Sequence, residues 1–454
     1  GMTEKPQAEF TSIRLLNLTV DASASQGSAV TVTVGGGSSG TTVVGSTDAT
    51  SNDALTIAGT AAADNDLTVT GSAADITAGD ITNFDTITAT ITEASGTVVL
   101  DGNVATLTAS ASDSSQIIDA NSNTDALETV ALNGSNGIEL QVDTDSVDEI
   151  DVTTDTDDAH KVSLQAAQTG AVDLSGIASG VQIELAAALA PAGTGKITVA
   201  DGADILASTA QTSSVGIEGA ASNSTVNLDL STVNHTGTVA FTNVSDLVLS
   251  STGDNGNTFA ATVDSDTSGT QGDITLTGAG DIDLGAAVDA GEINSTDFSG
   301  DLTMTLAATN GTVTAGSGND QITAFDGNFT VDGGDGDDAL VLAGDLSDDT
   351  ISISNIEVLD VAAATNVLAA EQISGGTFVV SADQGAGNGT LAVNGADTAG
   401  TIDLSGISTT GDITADEFVV DAGAGDDTVT LGTGDFTLSF TSGTDGTDTI
   451  TGFD

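Results

Sequence analysis

The sequence predicts an all-β protein, and two observations favour a right-handed parallel β-solenoid. Short segments of Val, Ile, Leu, Thr and Ala alternate at period two, and clusters of Gly, Asp, Asn or Ser interrupt them about every 8 to 12 residues. The chain also has 12 Phe but no Trp and no Tyr among 454 residues. A β-sandwich fits the same spacing, but its core usually buries large aromatic side chains, whereas a narrow solenoid stacks small aliphatic ones. This composition therefore favours the solenoid.

The first element is a predicted N-terminal arm or cap, residues 1–20. It contains Lys5 and Arg14, which are half of the four basic residues of the chain. It lacks the apolar core and small-residue cleavage site of a signal peptide. A frayed terminus and a docking arm for another subunit both fit these features.

The second element, residues 21–310, is predicted to be β-solenoid with few calcium motifs. Typical strand segments are AVTVTV (Ala29 to Val34), DLTVTG (Asp66 to Gly71) and GDITLTG (Gly272 to Gly278). Segments such as TNVSDLVLSS (Thr242 to Ser251) and SNIEVLDVAA (Ser354 to Ala363) share an apolar residue, a nearby acid and alternating aliphatic residues. Such an imperfect repeat is typical of stacked coils. Helical turns are predicted only around residues 184–190 and 366–372.

The third element, residues 311–454, carries a nine-residue motif of the form G-G-x-G-x-D-x-U-x, in which U is a large aliphatic residue. One copy matches every defined position and three match all but one. They are GGDGDDALV (Gly333 to Val341), AGSGNDQIT (Ala315 to Thr323), AGAGDDTVT (Ala422 to Thr430) and GTDGTDTIT (Gly443 to Thr451). Asp320 and Asp338 are 18 residues apart, so a coil of two units would stack them. Asp427 and Asp448 are 21 apart, so their stacking needs a small bulge or fails.

The residue types of this motif suit a cation site. Gly takes the sharp turns that aim carbonyl oxygens inward, and Asp adds a carboxylate with a short reach, so that two successive turns can enclose one hard cation. The aliphatic residue two places after the Asp, Ile322 or Leu340, then points into the core. Plain β-turns in a chain rich in Asp and Gly are the alternative interpretation.

The charge and composition of the chain indicate a cation partner and argue against nucleic acids, thiol chemistry and membranes. With 67 acidic and 4 basic residues, the net charge is −63, which opposes compact folding unless cations neutralise it. No Lys or Arg follows Lys196, which argues against nucleic-acid binding. The absence of Cys excludes thiol chemistry and disulfides. No apolar run of the sequence is long enough to predict a membrane span. Disorder also fits high charge with few aromatics, but 38% hydrophobic residues argue against it.

On these motifs, residues 311–454 resemble the β-roll of RTX (hemolysin-type calcium-binding repeat) proteins, and the whole chain resembles a bacterial RTX-type surface-layer protein. The resemblance implies Ca²⁺ as the bound ion, with side-chain ligands and backbone oxygens at named positions. The carboxylates would come from Asp320, Asp338, Asp427 and Asp448, and the carbonyls from Gly316, Gly318, Gly334, Gly336, Gly423, Gly425 and Gly446. It also implies type I secretion and folding outside the cell. In that family an export signal follows a segment like DTITGFD, with which this sequence ends, so the sequence is expected to be a truncated or a processed fragment.

The expected function is a structural, self-assembling extracellular surface-layer or fibre protein whose folding depends on calcium. A secreted RTX adhesin or biofilm-matrix protein is the alternative. The expected partners are further copies of the chain and cell-surface polysaccharide. An enzyme is not expected, because no nucleophile motif is present and the pair Asp157 and Asp158 lacks the aromatic platform of a sugar site. His160 and His235 are interpreted as surface residues.

Overall fold

The computed structural model of the chain consists almost entirely of parallel β-strands, with a single helix of four residues among those it describes. The described residues are 18–21, 30–33, 41–44, 55–58, 66–72, 81–82, 84–92, 96–101, 104–112, 115–122, 127–143, 149–155, 159–166, 171–187, 196–210, 215–221, 223–230, 235, 238–252, 257–258, 260–264, 272–288, 290–306, 311–324, 327–361, 365–382, 389–410, 413, 417–440 and 446–452. They divide into two compact units, Gly1–Asp229 and Leu230–Asp454.

The first unit contains twenty described strands. They are β1 (Leu18–Asp21), β2 (Val30–Thr33), β3 (Thr41–Val44), β4 (Leu55–Ala58), β5 (Asp66–Ser72), β6 (Ile81–Thr82), β7 (Thr86–Thr92), β8 (Thr97–Asp101), β9 (Thr106–Ala111), β10 (Gln116–Ser122), β11 (Thr129–Gly134), β12 (Ile138–Val142), β13 (Glu149–Thr154), β14 (His160–Leu164), β15 (Val172–Ile177), β16 (Val181–Leu185), β17 (Lys196–Val199), β18 (Ala203–Leu206), β19 (Val215–Gly219) and β20 (Ser224–Asp229).

Within the first unit the chain alternates between two parallel sheets. The odd-numbered strands β1 to β19 form one sheet in sequence order, and the even-numbered strands β2 to β20 form the other. Each strand therefore pairs with the strand one coil later, as Thr86 of β7 pairs with Thr106 of β9. Parallel neighbours need a crossover connection, and here the crossover is a strand of the other sheet. That arrangement is a β-solenoid.

The period-two pattern explains the core of this unit. Along β7, Ile87, Ala89 and Ile91 are buried while the Thr residues between them face outward. Parallel pairing in register stacks like positions of successive coils into columns of aliphatic side chains. One such column, with every member at most 1% exposed, runs through Leu67, Ile87, Leu107, Val130 and Val152.

The second unit contains the remaining described strands and the helix. They are β21 (Thr238–Thr242), β22 (Val244–Ser251), β23 (Asn257–Thr258), β24 (Ala260–Asp264), β25 (Asp273–Gly278), β26 (Ile282–Val288), β27 (Glu292–Phe298), β28 (Leu302–Leu306), β29 (Gly311–Thr314), β30 (Gln321–Ala324), β31 (Phe329–Asp332), β32 (Ala339–Leu342), β33 (Ile351–Ser354), β34 (Val358–Val361), β35 (Thr365–Ala369), α1 (Ala370–Ile373), β36 (Val379–Ser381), β37 (Thr390–Asn394), β38 (Thr401–Asp403), β39 (Ser408–Thr409), β40 (Phe418–Asp421), β41 (Thr428–Thr430), β42 (Thr437–Ser439) and β43 (Thr449–Thr451).

The second unit continues the same coiling with shorter strands. Its longest sheets follow the orders β22-β25-β27-β29-β31-β33 and β23-β26-β28-β30-β32-β34-β36-β39. Strands β35-β37-β40-β42 and β38-β41-β43 form two further parallel sheets. The spacing tightens in the middle of this unit, where Gln321 of β30 pairs with Ala339 of β32, 18 residues later. This spacing is twice the nine-residue motif.

The predicted fold class is confirmed, because the described chain is an all-β parallel solenoid consistent with a right-handed β-helix. The predicted arm falls largely outside the described residues, which begin at Leu18, and residues 18–20 belong to β1. The predicted boundary at residue 310 marks where the motifs begin, and it stays a prediction. Of the two predicted helical turns, the one at 366–372 overlaps α1, whereas Val181–Leu185 at the start of the other is strand.

Candidate metal centre

All four predicted aspartates lie at turns that lead directly into a strand. Asp320 precedes β30, Asp338 precedes β32, Asp427 precedes β41 and Asp448 precedes β43. The aliphatic residue two places later enters the core as predicted, since Ile322, Leu340 and Val429 are completely buried and pair in columns. Each motif therefore places one carboxylate at a corner of the coil.

The motif glycines of successive turns stack so closely that no side chain would fit between the turns. A Cβ on Gly334 would lie 2.1 Å from the carbonyl oxygen of Gly316, and one on Gly336 would lie 2.0 Å from that of Gly318. Gly334 also has φ +88°, which favours glycine. The remaining predicted glycines with positive φ are Gly336, Gly423, Gly425 and Gly446. The first two motifs thus coil in register, as their spacing predicts.

The first aspartate pair forms part of a ladder of carboxylates that cap backbone amides. The backbone N–H of Asp320 donates to Oδ1 of Asp338 at 2.7 Å, and that of Asp338 donates to Oε2 of Glu357 at 2.8 Å. Asp320 in turn accepts from the backbone N–H of Leu302 at 2.7 Å and of Gly316 at 3.3 Å. Each carboxylate therefore binds an amide of the preceding coil. The structure brings Asp320 and Asp338 together one above the other.

The second pair is stacked in the same way despite its 21-residue spacing. The backbone N–H of Asp427 donates to Oδ1 of Asp448 at 3.0 Å, and Thr428 pairs with Thr449. The strands just before these turns pair with an offset of 18, as Asp421 does with Ser439. The three additional residues therefore enter between Ser439 and Gly446. The alternative that the stack fails is wrong, because Asp427 and Asp448 stack and the strands that follow them pair in register.

A second ladder, one residue earlier in each turn, faces solvent. Each backbone amide donates to the side chain at the same place in the preceding coil, from Asp301 to Asp281 at 2.9 Å, from Asn319 to Asp301 at 2.7 Å and from Asp337 to Asn319 at 3.0 Å. The sequence analysis missed this ladder and also Glu357. The 18-residue spacing of Asp301, Asn319 and Asp337 was an available signal, whereas Glu357 lies in no nonapeptide and is only an acid of the segment Ser354 to Ala363.

Two carboxylate oxygens of the buried ladder lack a donor. Asp338 and Asp427 are 0% and 3% exposed, yet Oδ2 of each accepts no hydrogen bond from any residue that the structure describes. Burial, followed by the neighbouring carboxylates of Asp320 and Glu357, raises the pKa of Asp338 to about 6 despite the amide of Asp320. A buried anion without a donor is costly unless a cation or a proton accompanies it. The geometry can therefore accept a cation at both turns.

Carboxylate and carbonyl oxygens are the metal ligands available at these turns, and hard cations such as Ca²⁺ prefer such oxygen ligands. Among the described residues, no group of three or more His, Asp or Glu side chains converges on one point. A cation here would therefore depend largely on backbone oxygens, as the glycine-rich turns allow. The eleven residues expected as ligands remain a prediction.

The two histidines are not surface residues, contrary to the sequence interpretation. His160 and His235 are both completely buried. Nδ1 of His160 accepts from the backbone N–H of Ile138 at 3.0 Å, and Nε2 of His235 lies 2.9 Å from the carbonyl oxygen of Leu230. The hydrogen bond of each ring to a backbone group offsets part of the cost of burying that ring. Their contacts are structural.

Among the described residues, no helix is long and apolar enough to span a membrane. Comparison with known proteins finds no matching protein family, no matching curated protein and no matching solved structure.

Proposed function

We propose that this chain is a calcium-dependent structural protein that self-assembles into an extracellular surface layer or fibre. The observation that carries the proposal is the pair of buried, donor-free carboxylate oxygens at Asp338 and Asp427. They lie in a unit without a single Lys or Arg, so no side chain of that unit can neutralise them by an ion pair. A bound cation would do so.

Calcium suits these turns better than other common cations. It takes six to eight oxygen ligands in flexible geometry, which backbone carbonyls of stacked turns and one carboxylate per turn can supply. Calcium that binds only the folded state also stabilises it by mass action. Where calcium is scarce, the charge of −63 would destabilise the folded chain, and where it is plentiful bound calcium would stabilise it. This dependence supports a secreted protein that folds outside the cell.

The calcium part of the proposal is tested by chelation and ion counting. We expect the purified chain to bind several calcium ions in equilibrium dialysis, and its circular dichroism and melting temperature to fall when EDTA removes them. Asp338→Asn should lower the ion count, and Asp448→Asn should lower it independently because it lies at another turn. Identical stability in EDTA and calcium would contradict the proposal.

An uncharged column on the first unit supports self-assembly. Outward side chains of successive strands stack in register along one sheet, and none of them is charged. They are Thr19, Thr42, Thr68, Thr88, Thr108, Ala131 and Thr153. Two copies of so acidic a chain repel each other least where their surfaces carry no charge. This column is therefore the surface through which we expect copies to approach.

Electron microscopy tests the assembly. In calcium we expect lattices or filaments of the wild-type chain, and we expect Thr88→Asp to weaken them while leaving circular dichroism unchanged. Thr275→Asp, on an outward position of β25 in the second unit, is the matched control and should assemble normally. Isolated particles in calcium would instead favour the adhesin or biofilm-matrix function.

A further inference from the structure

The coil that follows Asp338 is not a nonapeptide, yet it continues the ladder of carboxylates that accept from backbone amides, with Glu357 at an exposed position. Strand β34 pairs with β32 in register, with Leu359 beside Leu340. In the turn before β34, Glu357 takes the place that an aspartate takes in the motif, and its Oε2 accepts from the backbone N–H of Asp338 at 2.8 Å. A second carboxylate therefore stands beside that of Asp338, contributed by the segment SNIEVLDVAA.

Two oxygens pack against the same side of Gly333. A Cβ on Gly333 would lie 2.0 Å from the carbonyl oxygen of Asn355 and 2.7 Å from Oδ2 of Asp338. Both oxygens are acceptors, and Oδ2 of Asp338 receives no hydrogen bond from the described residues. Calcium lies about 2.3–2.6 Å from its oxygen ligands, so two oxygens that pack against one glycine are close enough to each other to bind the same ion. Because Gly333 has no side chain, both oxygens can approach its backbone this closely.

The carbonyl of Asn355 is held in this orientation by the local backbone. Asn355 has φ +50°, a left-handed conformation that Asn tolerates better than most residues. Its Nδ2 donates to Oδ1 of Asp332 at 2.6 Å, and the backbone N–H of Gly333 donates to the carbonyl of Ser354 at 3.0 Å. The turn is thus fixed from both sides. Its carbonyl and the Asp338 carboxylate face each other without a donor between them.

We propose that Asp338 Oδ2, the carbonyl oxygen of Asn355 and the carboxylate of Glu357 hold a Ca²⁺ ion that the repeat alone does not define. The inference rests on the proposed calcium-dependent function and adds a coil outside the nonapeptides to the binding region. The Glu357 side chain, which is longer than that of Asp, still reaches the Asp338 turn. Coils of the apolar-acid-aliphatic type can then terminate a calcium ladder as well as extend the core.

Calcium counting on matched variants tests this site. Equilibrium dialysis of the full chain should show one ion fewer for Glu357→Gln than for the wild type, or a weakening of one site by about 10- to 100-fold. Glu371→Gln is the control, because it removes the same charge from an exposed position of α1 in the same unit. Gly333→Ala should also lose this ion, since its Cβ would clash with both oxygens and displace them from each other.

The outcomes separate the two proposals. If the wild-type chain binds no calcium, both fail. If it binds calcium and Glu357→Gln retains the same count and affinities, only the site at Glu357 is wrong. The Asp427–Asp448 turns serve as an internal reference, because continued calcium uptake there shows that a variant has folded. If a proton rather than calcium neutralises Asp338, the wild type and Asp338→Asn should bind the same number of calcium ions. That result would overturn the site.

Discussion

At the level of single residues, Asp320 and Asp338 hold the same position in successive motifs but differ in how their carboxylates are satisfied. Two backbone amides donate to Asp320, whereas Asp338 receives one on Oδ1 and none on Oδ2. Burial raises the pKa of both, and the amides from Leu302 and Gly316 oppose this rise at Asp320. Asp338 is therefore the residue at which removal of calcium should matter most.

The first prediction follows from the pKa of Asp338, raised from 3.8 to about 6. The folded state then binds the proton more tightly than the unfolded state, so this stabilisation is complete below about pH 4 and is lost as the pH rises through 6. The loss is on the order of 3 kcal/mol. Urea unfolding in EDTA should therefore show lower stability at pH 7 than at pH 5, and Asp338→Asn should flatten this dependence. An equal slope in the variant would contradict the prediction.

The second prediction concerns Lys161, whose Nζ lies 3.1 Å from Glu139 and 2.6 Å from Glu184 on neighbouring coils. Burial lowers the pKa of Lys161, but hydrogen bonding to these two acids and their charges together outweigh it and raise that pKa. Burial raises the pKa of Glu184, but its hydrogen bonds, among them that from Lys161, and the charge of Lys161 together outweigh it and lower that pKa. Lys161→Met would leave two partly buried carboxylates facing each other and should cost roughly 1 kcal/mol in the free energy of unfolding. Lys196→Met, which breaks a more exposed pair with Glu218, should cost less in the same urea titration.

At the level of elements, each coil depends on the buried aliphatic side chains that the neighbouring coils stack against it. Leu340 is completely buried between Ile322 of the preceding coil and Leu359 of the next. Because protein cores are closely packed, truncation of Leu340 leaves a cavity that the flanking strands close only in part.

The third prediction is that Leu340→Ala destabilises the protein by about 2–5 kcal/mol, since it removes buried methyl groups and leaves a cavity. Thr323→Ala, at an outward position of the adjacent strand β30, should cost under about 1 kcal/mol. Urea unfolding in saturating calcium measures both. Similar losses for the two variants would show that this column is not the core.

The predictability of the elements follows from how local their signals are. The period-two pattern could predict the strands and their buried aliphatic residues, and the 18-residue spacing could predict that Asp320 and Asp338 stack. Each signal depends on residues close in sequence. Glu357 could not be found this way, since its contact with Asp338 arises only when a coil of different sequence stacks on the motif. The burial of His160 was missed for the same reason, because its partner Ile138 belongs to another coil.

At the level of the whole molecule, the charge of −63 has two components that respond differently to ions. Exposed carboxylates repel one another through solvent, where salt screens them over about 3 Å at 1 M. Buried carboxylates such as Asp338 and Asp427 are little affected by this screening, and a cation or a proton at the turn would have to neutralise them. Screening and specific binding can therefore be separated.

The fourth prediction is that neither sodium nor magnesium replaces calcium. Sodium chloride at about 1 M should relieve only the screened repulsion. Magnesium requires near-octahedral ligands at about 2.0–2.1 Å and retains its waters, which a turn built from fixed carbonyls does not accommodate. In EDTA with about 1 M sodium chloride, and in magnesium with a calcium-selective chelator, melting temperatures measured by circular dichroism should stay below that in millimolar calcium. If high sodium chloride alone matched calcium, net charge rather than the buried turns would control folding.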